Sequence, residues 1–273
     1  MGKLLPVKWF IEIDTWETIH KNIWLYGMIT AAALATLPVA AEPGFSLTTG
    51  LDYSTGKYGG TVSTDILYIP FTGQYEADKY TLKLTVPYLQ VTGPGNVVID
   101  VGPIGAPSTT TTRQSGLGDI VVAGTYNMYD GRANGTVVDV TAKIKFATAD
   151  EAKGLGTGKN DYALQTDLYK TLGKNTVFGT LGYKVMGSPA GVTLNNVFYA
   201  SLGASHRYSQ ETSAGLILDL REKASATGDA QQELTAYVSH KLGKSWKAQA
   251  YAVKGFSDGS PDWGAGAMFT AAF

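Results

Sequence analysis

The chain has 273 residues, enough for one large or two small domains. Charged residues make up only 16% of it, below the roughly 25% usual for soluble domains. The formal net charge of -1 gives no indication of a nucleic-acid partner. The absence of Cys excludes disulfides and thiol chemistry, and it is compatible with a bacterial envelope protein.

The first 41 residues are typical of a secretory signal peptide. Lys21 precedes an apolar stretch, residues 23–37, which is short for a membrane-spanning helix. Small residues then lead to Ala41, after which we place the cleavage site. The segment before Lys21 is long and acidic for a leader, so either the start codon is placed early or the leader is extended. The alternative is an uncleaved inner-membrane anchor. We therefore predict two regions, a removed leader at residues 1–41 and a mature domain at residues 42–273.

Apolar and polar residues alternate through the mature chain. The pattern is clearest in two runs of alternating residues, 138–146 and 162–168, that flank a Gly-rich loop. Successive strand side chains point to opposite faces, so each run has one apolar and one polar face. Similar runs occupy residues 45–53, 62–68, 80–88, 120–128, 177–185, 198–204, 214–220, 234–238, 246–252 and 263–273. The chain is thus predicted to be all-β, with about twelve strands.

Three details of the early strands are predicted from the same pattern. Ile66 and Tyr68 are placed on the outward apolar face, opposite Asp65. Pro70 is expected to end its strand, and Pro87 to mark a bulge, because proline cannot donate to the ladder.

The connections between runs alternate in length. Short turns are predicted near Gln74, Asp130, Gly173, Ser209 and Gly243, and the other connections tend to be longer, with the hairpin at Lys57 an exception. Short periplasmic turns and longer extracellular loops are typical of outer-membrane barrels. A secreted β-sandwich is the alternative, but the apolar faces are uniform from first strand to last, without the mix of core and edge strands that a sandwich needs. We therefore predict a transmembrane antiparallel up-and-down β-barrel in a lipid bilayer.

Aromatic residues near strand ends fit this prediction. Tyr53, Tyr126, Tyr162, Trp246 and Trp263 are placed where the interfacial girdles of a barrel would lie.

Charged residues recur on the faces opposite the apolar ones, where a barrel has its lumen. In the outer half, four acids are expected to face four bases and to set up a transverse field that selects solutes. The lumen and selectivity candidates are Lys83, Asp119, Lys143, Lys145, Asp161, Lys184, Asp219, Arg221 and Glu233. The alternative is a narrow structural barrel in which salt bridges fill the lumen.

A barrel-embedded hydrolase is a further alternative, and the sequence supports it less. His206 and His240 lie near predicted short turns on the outward face, and no Ser forms a defined constellation with them. The run from Gly154 to Lys159 superficially resembles a phosphate loop, but a strand rather than a helix follows it. We predict no catalytic residue, no metal and no cofactor, and we expect the Gly-rich loop at the outer mouth or folded inward over it.

The C-terminal strand ends in an aromatic residue. Phe273, with Phe269 at even spacing before it, resembles the signal by which bacterial outer-membrane proteins are recognised by their assembly machinery. An ordinary last strand that ends in Phe is the alternative.

Several motifs resemble one protein family. They are residues 116–120 (GLGDI), 143–148 (KIKFAT), 154–161 (GLGTGKND) and 181–183 (LGY). The chain is similar to the outer-membrane transporter family labelled "putative MetA-pathway of phenol degradation", although it has Ala147 where that family usually has Pro. The resemblance implies a channel in the outer membrane of a Gram-negative bacterium, with passive uptake of small aromatic or other hydrophobic compounds.

Overall fold

Alternating side chains build long antiparallel strands in the structure, a computed structural model that describes residues 44–104 and 109–273. The predicted signal peptide lies outside these residues. The strands are β1 (Gly44–Gly56), β2 (Thr64–Ala77), β3 (Tyr80–Gly93), β4 (Val97–Val98), β5 (Gly102–Pro103), β6 (Thr112–Leu117), β7 (Ile120–Gly131), β8 (Thr136–Phe146), β9 (Asp161–Leu172), β10 (Asn175–Val185), β11 (Val197–Arg207), β12 (Thr212–Arg221), β13 (Gln231–Lys241), β14 (Trp246–Gly255) and β15 (Trp263–Ala272). Two short 3₁₀ turns cover Arg132–Asn134 and Glu151–Lys153. None of the helices in the described ranges has the length and apolar character needed to cross a bilayer.

The sheet closes on itself. Each wall strand pairs antiparallel with the next, and β1 also pairs with β15, from Ser46–Ala272 to Thr55–Trp263. The strands β6 and β7 act as one interrupted wall strand, since both pair with β3. The result is a closed antiparallel barrel of 12 strands, as predicted.

The two ends of the barrel differ in their connections. At one end, called here the short-turn end, the described connections are residues 78–79, 132–135, 173–174, 208–211 and 242–245. At the other, called the loop end, they are residues 57–63, 94–111, 147–160, 186–196, 222–230 and 256–262, of which residues 105–108 are outside the described ranges. The alternation of lengths is confirmed, but the exception expected at Lys57 is wrong, because residues 57–63 are longer than every described connection at the short-turn end. The first turn was misplaced, because β2 continues past Gln74 to Ala77.

The outward face is a belt of large apolar side chains. Leu164, Leu181 and Leu202 keep 59%, 63% and 66% of their surface exposed. An apolar surface of this extent is not stable in water and requires a lipid environment. The five predicted girdle aromatics are all exposed on this face, and the rings of Tyr53 and Trp263 are 5.6 Å apart across β1 and β15.

The outward prediction for Ile66 and Tyr68 is wrong. Both are buried inside the barrel, with Tyr68 opposite the inward Asp52, and Leu67 faces outward instead. Apolar residues occupy both faces of β2 here, because the inner face packs against Leu155 and other residues of the loops that fold into the barrel. Alternation of polarity therefore cannot distinguish the two faces at this point.

The two prolines also behave differently from the prediction. Pro70 lies inside β2, where no pairs with β1 occur between Thr49–Phe71 and Asp52–Tyr68, so its missing N–H interrupts no ladder bond there. Pro87 pairs directly with Pro70, and the ladder between β2 and β3 stays continuous through this pair. The irregularity is on the other edge of β3, where the partner changes from β7 to β6 and Gly118 N donates to Pro87 O at 2.9 Å.

Candidate functional site

A short hairpin from the longest loop occupies the loop end of the barrel. We call residues 97–103 the plug hairpin: β4 and β5 pair through Val97–Pro103 and Val98–Gly102. Its turn residue, Asp100, has a φ of 68°, a left-handed conformation that Asp tolerates better than most residues. The hairpin is held by apolar contacts, because Val98 and Val101 are buried in a cluster with Met186, Leu194, Val197 and Ala224.

Polar contacts to the barrel wall hold the hairpin from two strands. Lys184, near the end of β10, donates a hydrogen bond to the Asp100 carboxylate. Arg221, the last residue of β12, places Nη1 3.5 Å from Asp100 Oδ1. The same guanidinium donates to the backbone oxygens of Asp100 at 2.6 Å and Val101 at 3.2 Å. Beyond it, Ser225 Oγ donates to Pro103 O at 2.6 Å.

These contacts belong to a longer chain of ion pairs. Lys145 Nζ lies 2.8 Å from Asp119 Oδ2 and 3.2 Å from Asp161 Oδ2. Lys184 Nζ lies 3.5 Å from the same oxygen of Asp161. Charges thus alternate along what we call the ion-pair chain, in the order Asp119, Lys145, Asp161, Lys184, Asp100 and Arg221. Each of these side chains is buried or nearly so, and their charges cancel.

The ionisation of Asp100 is determined by its burial and by the neighbouring cations. Asp100 lies in a loop, outside the membrane-spanning strands. Burial would raise the pKa of its carboxyl, but the positive charges of Lys184 and Arg221 outweigh burial and bring the pKa below the ordinary value of 3.8. Asp100 is therefore ionised at neutral pH.

The ion-pair chain also fixes the Gly-rich loop, residues 147–160, over the mouth. Asp119 Oδ1 accepts hydrogen bonds from Thr148 N at 3.1 Å and Ala149 N at 2.9 Å. Leu155 is buried among inward residues of β2 and β3. The loop folds inward, and the strand β9 follows it, so the geometry of a phosphate loop is not present.

The predicted charged residues all face the lumen, but not as four acids opposite four bases. Five of the nine belong to the ion-pair chain, in which acids and bases are direct neighbours. Asp219 and Glu233 are paired side by side on β12 and β13, and Asp52 on β1 adds a third inward carboxylate that accepts a hydrogen bond from Tyr251. Asp52 and Asp100 are not among the candidates predicted from the sequence.

The remaining two lysines, Lys83 and Lys143, lie below the ion-pair chain. A single row of residues paired across neighbouring strands connects these two lysines to Lys184 of the ion-pair chain. Its order is Lys83, Ala123, Lys143, Ala163, Lys184. Neighbouring strands are about 4.8 Å apart, so the Cα atoms of successive lysines are about 10 Å apart. We call these three residues the lysine row. The small residues Ala123 and Ala163 occupy the positions between the lysines.

Four inward aromatic rings each lie against a glycine of the neighbouring strand. The pairs are Phe178–Gly203, Tyr199–Gly182, Tyr237–Gly215 and Tyr251–Gly266. A Cβ at any of these glycines would come within 2.8 Å of the partner ring. Tyr199 also donates to Gln165 Oε1 at 2.7 Å, and Lys143 Nζ lies 5.9 Å from its ring centre. This arrangement was not predicted from the sequence, although glycine at an inward position was a signal for it.

Exposure changes along the lumen. The inward residues Lys83, Lys143, Tyr199, Ser201 and Asp219 are only half-buried. At the loop end, in contrast, the members of the ion-pair chain, the plug hairpin and Glu233 are buried. Other inward residues below the loop end, among them Tyr169, Phe178 and Ile217, are as buried as those at the loop end, so the half-buried side chains form a local patch of the lumen wall.

The two histidines lie at the short-turn end on the outward face, as predicted. His206 Nδ1 is 2.7 Å from Asn175 Oδ1, and His240 Nδ1 is 2.8 Å from Thr212 Oγ1. Among the described residues, no group of three His, Cys, Asp or Glu side chains could hold a metal ion. Phe269 is exposed on the outward face of β15, and Phe273, directly after this strand, is also exposed, with its ring centre 6.1 Å from that of Phe45.

A closed barrel with an apolar belt outside and charged residues inside defines a transmembrane β-barrel of the outer-membrane class. The family described as "Putative MetA-pathway of phenol degradation" matches residues 47–273, and the chain belongs to that family.

Solved structures show the same fold. A COG4313 outer membrane channel from Pseudomonas putida F1 is similar with a TM-score of 0.66 and 13% identity, over 87% of this chain and 97% of that one. The KdgM porin is similar with a TM-score of 0.50 and 11% identity, over 84% of this chain and 99% of that one. No curated protein matches the sequence.

Proposed function

We propose that the chain is a channel in the outer membrane of a Gram-negative bacterium and lets small solutes pass without covalent chemistry. The observation that carries this is the half-buried patch of Lys83, Lys143, Tyr199 and Asp219 on the lumen wall below the loop end. A barrel of 12 strands is wider than the eight-stranded barrels that side chains can fill, so water and solute have space beside this row.

Aromatic compounds are the solute class that we propose. The family description refers to phenol degradation, and the solved COG4313 relative is described as an outer membrane channel. The lumen supports this class, because Tyr199 is a half-buried inward ring and Lys143 Nζ lies 5.9 Å from its centre. The nine charged candidates named from the sequence, together with Asp100, are proposed as the residues that select among solutes.

Liposome swelling tests the proposal. Aromatic acids, sugars and nucleosides are compared as solutes, in liposomes with wild type, with Lys143→Ala and with Lys153→Ala. Lys153 is a matched control, because it is an exposed lysine in the loop 147–160. We expect aromatic acids to enter faster than protein-free leakage and Lys143→Ala, but not Lys153→Ala, to change their rate. Swelling at the protein-free rate for every solute would contradict a channel.

A structural barrel with a salt-bridged lumen is the second candidate, and the ion-pair chain favours it. Single-channel recording separates the two. A barrel with only a structural role gives no conductance above that of the bare bilayer, whereas a channel conducts, even if its openings are brief.

We propose no enzymatic role. The contact between Thr212 and His240 joins a hydroxyl to an imidazole, but it lies on the outward face at the short-turn end, away from the lumen.

Delivery to the membrane is proposed to follow the two terminal signals. Residues 1–41 are removed as a signal peptide, and Phe269 and Phe273 are recognised by the outer-membrane assembly machinery. The mass of the protein extracted from outer membranes tests the first point, since cleavage after Ala41 leaves a chain that begins at Glu42.

A further inference from the structure

The contacts of Asp100 resemble those of a bound carboxylate ligand. Its carboxylate lies between an ammonium and a guanidinium, Lys184 and Arg221, and both of these belong to the barrel wall. Lysine with arginine is the combination that proteins use to hold carboxylates, because charge-assisted hydrogen bonds are short and strong. The carboxylate is supplied by a loop, whereas the cations are supplied by strands.

The plug hairpin has an apolar part beside this carboxylate. Val98 and Val101 flank Asp100 and are 2% and 3% exposed. They fill an apolar site that Met186, Leu194 and Val197 line. The hairpin thus presents a carboxylate next to a small apolar body, and the wall presents two cations next to an apolar site.

We infer that Lys184 and Arg221 form a carboxylate-binding site of the channel, and that Asp100 occupies it as an internal ligand until the carboxylate of an apolar organic acid replaces it. Benzoate and similar aromatic acids have the required chemistry, a single carboxylate on an apolar body. This inference names the solute class of the lumen site and rests on the proposed channel function.

One row of the wall below the site carries positive charge, and the inward carboxylate of Asp167 lies near it. The lysine row continues from Lys184 to Lys143 and Lys83 towards the short-turn end. An anion released from Lys184 therefore meets another ammonium after about 10 Å, a two-strand step. Arg221 is less mobile than these lysines, because it also binds the backbone oxygens of the hairpin.

Replacing the internal ligand tests the site. Asp100→Asn keeps the shape of the side chain but removes its charge, so the cations lose their ion pair with the hairpin. We expect a lower melting temperature for this variant than for wild type. Benzoate should recover most of the loss, because it supplies the missing carboxylate, whereas benzamide or sodium chloride at equal concentration should not.

Two further variants make the test specific. Asp229→Asn removes an exposed loop carboxylate at the same end of the barrel, and it should show neither the loss nor the recovery. Asp100→Asn combined with Arg221→Gln should keep the loss but not respond to benzoate. Recovery by benzamide or chloride, recovery that survives in the double variant, or no response to benzoate would overturn the inference.

Folding yield keeps the test decisive if Asp100→Asn does not fold unaided. Refolding from urea into detergent with benzoate should then restore the folded, heat-modifiable barrel, and refolding with benzamide should not. If aromatic acids pass through wild type in the swelling assay but Asp100→Asn does not respond to benzoate, the binding site is refuted and the channel function stands. If Asp100→Asn responds to benzoate but no solute passes through wild type, the channel function is refuted and the binding site stands.

Discussion

Replacing Gly182 by Ala tests the packing of inward rings on glycine. The new Cβ would come 2.2 Å from Cζ of Tyr199, so the ring must move away from the wall. That movement breaks the hydrogen bond from Tyr199 to Gln165, which is 2.7 Å long. The lost hydrogen bond costs about 1 kcal/mol, and an off-rotamer ring costs about 1 kcal/mol more. Ala in a strand gains about 0.5–1 kcal/mol over Gly, so a net loss of about 1–1.5 kcal/mol is expected.

The sign of the effect should depend on the ring. A Tyr199→Ala background removes the three atoms nearest to the new methyl group, and there Gly182→Ala should stabilise the barrel by about 0.5–1 kcal/mol. Gly179→Ala is the matched control on the same strand, because its Cβ would meet its nearest atom at 3.4 Å, an ordinary contact. Unfolding by urea in phospholipid vesicles, followed by tryptophan fluorescence, measures each value. Equal effects of Gly182→Ala with and without the Tyr199 ring would refute the steric explanation.

Three other predictions concern the ion pairs and the C-terminus. Lys145→Met leaves two buried carboxylates without their shared cation and should lower the free energy of unfolding in urea by about 3–5 kcal/mol. Lys153→Met, at an exposed ion pair, should lower it by about 0–1 kcal/mol. Similar losses for the two variants would contradict a buried network. Because the pKa of Asp100 is below 3.8, its contribution to stability is complete above pH 3.8 and declines as the pH falls through the lowered pKa. The melting temperatures of wild type and Asp100→Asn should therefore differ at neutral pH and converge in acid. A constant difference from pH 7 to pH 2 would show that Asp100 acts without its charge. Phe273→Ala should reduce the amount of barrel assembled in cells but not refolding in detergent, because Phe273 is exposed; equal losses in both would assign it a structural role.

Strict alternation predicted the wall because a barrel has two solvents, lipid outside and water inside. Lys143 and Lys145 could be placed in the lumen from their own strand alone. The rule failed at Ile66 and Tyr68, where loops fold into the barrel and replace water by apolar side chains. A strand with apolar residues on both faces carries no signal for its direction, and only the register with β1 resolves it.

The ion pairs were beyond a strand-by-strand analysis. Asp100 meets Lys184 and Arg221, which are distant in sequence and on different strands, and nothing local to Asp100 predicts that its loop turns inward. The glycine–ring pairs are a different case. Gly182 and Tyr199 lie directly opposite on adjacent strands, so once the register is known their contact follows from steric size alone.

Closure between the first wall strand and the last has a consequence for biogenesis. The β1 strand must wait for β15, the last wall strand in chain order among the described residues, before its hydrogen-bonding edge is covered. Until then the polypeptide has two unpaired strand edges and an apolar outer surface, and these features promote aggregation in the periplasm. Chaperones must therefore hold the whole precursor, and a nonsense mutation before Trp263 should give degraded material rather than a smaller pore.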